Sequence, residues 1–147
     1  MSYTLYESGM GEVALVKEIQ LIKDIISLEK ERFGKRLDIS FIVEGDPKKM
    51  QIPPLLLIPL VENAFKHGIH NEVKKGWINI SLSAQENVLR FHISNSVPSD
   101  SENKDKDGLG LMNIKRRLEL LYEKRHHLEI EKKEDTFTVR MEINLNP

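Results

Sequence analysis

The stretch Ile52–Gly68, IPPLLLIPLVENAFKHG, decides how this chain folds. Pro53 and Pro54 suit the approach to a helix and its first turn, not its interior. The spacing predicts a helix from about Leu55 to His67, closed by Gly68. At about 100° per residue, Leu57, Ile58, Leu60, Val61, Ala64 and Phe65 share one arc. Glu62, Asn63, Lys66, His67 and His70 share the other. One side is therefore built for burial, and the other carries varied chemistry. Asn63 and His67 lie one turn apart with Lys66 beside them, so one ligand can touch all three. Asparagine is a modest helix former, and its carboxamide oxygen is a hard, neutral donor of the kind Mg²⁺ accepts beside phosphate. Lys66 would offset phosphate charge. For Asn63 taken alone, a solvated helix face is the simpler reading. His67 and His70 have metal-pair spacing but lack a third ligand for zinc.

Working outward, Val13 to Phe33 reads as a helix, with Leu15, Ile19, Ile22 and Ile26 at helical spacing and Gly34 as its stop. Residues 1–12 show no period and read as a linker or the end of an upstream helix. Leu37, Ile39, Phe41 and Val43 alternate as in a strand. Trp77 to Ala84 and Val88 to Ser94 read as two strands joined at Gln85–Asn87. Two more strands, His127 to Lys132 and Thr136 to Leu145, close the chain. Strands and helices in this order predict an α+β fold, a sheet covered by helices on one face. The reading gives one domain, residues 13–147.

A second informative stretch is DGLGLMNIKRRL, Asp107 to Leu118. It joins a polar loop, Pro98 to Asp107, to a helix whose apolar stripe is Leu111, Ile114, Leu118 and Leu121. Glycines permit close approach of backbone to phosphate, and a helix start offers free N–H groups and a positive dipole end. Gly-x-Gly alone is not specific, and no P-loop lysine pattern is present. The loop before it replaces the strand that a Rossmann fingerprint requires. Lys115, Arg116 and Arg117 are either a solvated face or a set of phosphate or partner contacts.

Composition excludes several classes. With 22 basic against 23 acidic residues and a net charge of −1, the chain has no general attraction for nucleic acid or an anionic membrane. No cysteine is present, so disulfides and thiolate metal sites are excluded. A reducing, cytoplasmic setting is compatible with that. No apolar run approaches the roughly 20 residues of a membrane helix, and the start, MSYTLYESGMGE, lacks signal-peptide regions.

Taken in order, Pro53 to Gly68, Phe91 to Ser96 and Gly108 to Leu118 resemble the nucleotide-binding boxes of the histidine kinase, gyrase and Hsp90 ATPase superfamily. The resemblance is to bacterial sensor kinases of the autolysin-regulator type in particular. Their pattern is LVENAxKHG, a strand ending in Asp or Asn, then GxGLxNxxxRL. Val16 to Phe33, ending LEKERF, also resembles the helix preceding that domain. The resemblance implies a Bergerat-type ATP-binding fold, a two-layer sandwich with a mixed, mainly antiparallel sheet. It implies ATP and Mg²⁺ as cofactors, with Asn63 as the metal ligand. Lys66 and His67 would lie near phosphates or ribose, and Gly108, Gly110, Leu111 and Asn113 would border the nucleotide. Residues 97–107 would form a short lid. Asn95 stands where the superfamily usually has an aspartate that accepts from the adenine amino group. Ser96, Val97 and Pro98 replace the usual glycine after it.

Gyrase-like ATPases place a general-base glutamate one turn before the asparagine; this chain has Pro59, which disfavours hydrolysis. The family's phosphoacceptor histidine lies in an upstream helix with a Pro-His-Phe motif that is absent here. The resemblance thus implies γ-phosphoryl donation to a histidine outside this chain. It further implies a response-regulator partner, a homodimeric full-length protein and a cytoplasmic domain of an inner-membrane sensor. The alternative is a nucleotide-free interaction module of the same fold.

Overall fold

The computed structural model describes residues 11–68, 75–97 and 108–146. The elements run β1 (Val13–Ala14), α1 (Leu15–Phe33), β2 (Leu37–Gly45), β3 (Gln51–Ile52), α2 (Ile58–Gly68), β4 (Gly76–Gln85), β5 (Val88–Ser96), α3 (Gly108–Leu121), β6 (His126–Lys132) and β7 (Thr136–Asn144). Five strands form one sheet in the order β2-β4-β5-β7-β6. β2 runs parallel to β4, and the other pairings are antiparallel. The parallel pair needs a crossover, and α2 lies within it. The expected α+β, two-layer, mainly antiparallel architecture is the one observed.

The sheet alternates cleanly. Leu89, Phe91 and Ile93 of β5 face the helices and are buried, as are Ile78, Ile80 and Leu82 of β4 and Phe137, Val139 and Met141 of β7. Asn79, Ser81, His92, Ser94, Thr138 and Arg140 line a shallow depression on the opposite, open face. The two-residue turn Glu86–Asn87 joins β4 to β5 with positive φ at both residues, 51° and 64°. That backbone matches the right-handed strand twist.

α1 buries Leu15, Ile19, Ile22 and Ile26, the predicted stripe. It stops at Gly34, whose φ of 59° suits glycine. α2 buries the whole predicted arc from Leu57 to Phe65. Each fully buried Leu or Ile contributes about 1.5–3 kcal/mol. Three details differ from expectation. α2 starts at Ile58, not Leu55, because Leu55 takes a left-handed φ of 57°. α1 starts at Leu15, since Val13–Ala14 pairs with Gln51–Ile52 as a small second sheet. On α3, Leu121 is 46% exposed and Tyr122, one turn after Leu118, is buried in its place. Among the described residues, no helix is long and apolar enough to cross a membrane.

Candidate functional site

α2 and α3 lie on the same face of the sheet, in contact with each other, and α2 also packs over β4 and β5. The two sequence boxes that suggested a ligand are therefore neighbours. On α2, Asn63 is partly exposed, and Glu62 and Lys66 are exposed. All three point away from the core that Ala64 and Phe65 enter. The side chain of His67 lies outside the described part, as do His70 and residues 98–107 of the expected lid.

Asn95 ends the helix-facing row of β5, one alternation beyond Ile93, and is only 1% exposed. Its Nδ2 donates to the Ser96 carbonyl at 3.0 Å. Among the described residues, no donor faces its Oδ1. A buried acceptor without a donor costs free energy unless something supplies one. Ser96 anchors this end of the strand: its Oγ accepts from the Trp77 N–H at 3.0 Å.

α3 begins at Gly108. Gly110 is exposed, with no atom within 4 Å of where a Cβ would project. Among the described residues, space is therefore open beside Gly110, and a helix's first turn offers N–H groups without intrahelical partners. Asn113 is exposed, whereas Leu111 is buried and belongs to the apolar core. Its side chain supports α3 from below. Among the described residues, no cluster of His, Asp or Glu suits a metal ion; a magnesium bound mainly by phosphate and water needs none.

Two charged residues organise this region, Glu18, which the sequence reading passed over, and Arg117. Glu18 of α1 is fully buried and accepts from the Leu55 N–H at 2.8 Å and the Leu57 N–H at 2.6 Å. Leu57 occupies the cap position of α2, since its carbonyl accepts from Leu60 and Val61, and leucine cannot cap a helix. The distant carboxylate does so instead. Burial pushes the Glu18 carboxyl up, against the opposing pull of the Leu57, Leu55 and Ile58 N–H groups and the Arg117 charge. Arg117 of α3 donates to the Leu55 carbonyl at 3.1 Å and the Pro54 carbonyl at 2.9 Å. The Arg117 guanidinium is therefore engaged by the backbone before α2 and is not part of a solvated face. Both residues were marked in the sequence as charges inside apolar stripes: Glu18 between Leu15 and Ile22, and Arg117 between Ile114 and Leu121.

No protein-family model matches the chain. The sensor histidine kinase YpdA of Escherichia coli (strain K12) is 32% identical over 137 residues, covering 87% of this chain and 24% of YpdA. The sensor protein LytS of Staphylococcus epidermidis is 29% identical over 91 residues, covering 60% of this chain and 15% of LytS. The chain thus spans a quarter or less of these relatives. The catalytic domain of histidine kinase ThkA superposes with a TM-score of 0.61 at 19% identity, covering 93% of this chain and 98% of that one. ThkA in complex with the response regulator TrrA matches with a TM-score of 0.60. This chain is thus related in sequence to sensor histidine kinases, LytS among them, and shares the fold of histidine kinase catalytic domains.

Proposed function

We propose that this chain binds ATP as its magnesium complex beside α2, the end of β5 and the start of α3, and serves a kinase reaction in which the γ-phosphoryl group passes to a histidine carried elsewhere. The observation that carries this reading is Asn95, a buried amide whose Oδ1 accepts from nothing among the described residues. The adenine amino group is the donor that would satisfy it. The Ser96 carbonyl holds the amide with its oxygen free, which favours adenine over guanine, whose O6 is an acceptor.

Asn63 would offer its carboxamide oxygen to magnesium and Lys66 its charge to phosphate. His67 would lie near phosphate or ribose, and Asn113 at the nucleotide's edge. The α3 start, with Gly108 and Gly110, would meet phosphate oxygens with backbone N–H groups. Bound magnesium would neutralise phosphate charge. The chain's own contribution is positioning: it holds base, metal ligand and helix terminus on three packed elements. Pro59 is partly buried in the first turn of α2, where a hydrolase would carry its base. It supports transfer to a separate acceptor over transfer to water. A response regulator, a homodimeric full-length protein and a membrane-attached sensor with this domain in the cytoplasm complete the proposal.

The test is a melting experiment with and without Mg²⁺ and nucleotide. Millimolar ATP with Mg²⁺ should raise the melting temperature, GTP should raise it less, and isolated chain should release little phosphate. No stabilisation by any nucleotide would favour the nucleotide-free interaction module instead. Rapid phosphate release would favour a hydrolase.

A further inference from the structure

The proposed reaction makes no use of the polar cluster around the turn Pro54–Leu57. This turn is held from two sides. Glu18 of α1 takes its Leu55 and Leu57 N–H groups, and Arg117 of α3 takes its Leu55 and Pro54 carbonyls. Leu55 has both backbone polar groups engaged by charged side chains from different helices. It also sits at a φ of 57°, a conformation a leucine adopts only when its surroundings impose it. A serine at position 57 would cap α2 locally, but its oxygen would reach N–H groups further along α2, not those of Leu55 and Leu57. A buried carboxylate is the costlier solution. What it adds is a link between helices that a local cap cannot make.

We propose that Glu18 and Arg117 are positioning residues that lock α1, α2 and α3 into one register through the Pro54–Leu57 turn, setting where the Asn63 helix lies relative to the glycine-flanked start of α3. A shift of α1 would then be felt at both walls of the site. Two further ties make α1 a rigid lever: Leu15 N–H donates to the Met50 carbonyl at 2.9 Å, and β1 pairs with β3 just before the turn. The proposal rests on the nucleotide reading for its consequence, though not for its mechanics.

Three variants test it: Glu18→Gln, which exchanges one acceptor oxygen for a donor; Arg117→Lys, which keeps the charge and loses the fork; and Ile143→Val, a core control on β7. Affinity for adenylyl imidodiphosphate with Mg²⁺ is measured by calorimetry, and amide hydrogen exchange is followed without ligand. The expected result is an affinity loss of about 10-fold or more for both latch variants beyond that of the control. Exchange should quicken at residues 55–61 and 110–118 together in each variant. Affinities within about twofold of the control, or faster exchange confined to the substituted helix, would overturn the proposal. If the wild-type chain binds no nucleotide, the functional reading falls, and the exchange pattern alone decides the coupling.

Discussion

Two sets of charged side chains make similar hydrogen bonds in this protein and have different worth. On the open face of the sheet, Arg140 meets Glu129 at 2.9 Å and Arg90 meets Glu142 at 2.7 Å. These pairs join neighbouring strands, and all four side chains are 40–51% exposed. Under the helices, Glu18 and Arg117 do not pair directly but grip opposite polar edges of one turn. Water can replace either partner of the surface pairs at little cost. It has little access to the Leu57 N–H group that the buried Glu18 satisfies. Distance alone therefore says little about a contact's importance; what is left behind when it is removed says more.

Substitution at each region should expose the difference. Glu18→Ala leaves buried N–H groups at the start of α2 without an acceptor and should destabilise the chain by about 3 kcal/mol. Arg140→Ala should change stability by less than about 0.5 kcal/mol. Urea unfolding of both variants checks this, and equal losses would break the comparison. Next in size, Asn95→Asp restores the acid usual in the superfamily. It should tighten nucleotide binding several-fold through a charged acceptor, read by calorimetry.

The pH dependence sharpens the contrast further. Burial raises the Glu18 carboxyl above its ordinary value of 4.5. Its titration therefore contributes stability that is fully present below pH 4.5 and is lost as pH rises through the folded value. The urea midpoint of wild type relative to Glu18→Gln should accordingly fall as pH rises above 4.5. Tyr122 follows the same sign at the alkaline end. Burial and the Glu12 carboxylate push it up to about 12 from 10.0, so its share of stability is lost as pH climbs through about 12. Tyr122→Phe should remove that loss. Smallest, Glu86→Gly relieves a positive φ in the exposed hairpin turn and should stabilise by about 0.5 kcal/mol.

What could be read from sequence was whatever burial writes as a period. The stripe Leu15, Ile19, Ile22, Ile26 and the alternation Leu89, Phe91, Ile93, Asn95 appear in the structure as expected, and the α2 arc is buried throughout. The β1–β3 pair was not legible, because two-residue strands carry no period. Nor was the left-handed Leu55, since leucine gives no turn signal. Glu18 and Arg117 broke their stripes visibly, but their partners lie 37 to 63 residues away, and periodicity says nothing of such distances. Tyr122 replaced Leu121 in the core because one turn after Leu118 falls closer to 122 than to 121. The candidate site was legible only as residue types, and α2, which carries Asn63, lies against both β5 and α3.

The most direct measurement is calorimetric titration of the wild-type chain and Asn63→Ala with a non-hydrolysable ATP analogue, each with Mg²⁺ and with chelator. The wild type should bind in a Mg²⁺-dependent manner, and the variant should bind more weakly with the Mg²⁺ dependence largely gone. Indistinguishable titrations for the two chains, with or without metal, would contradict it.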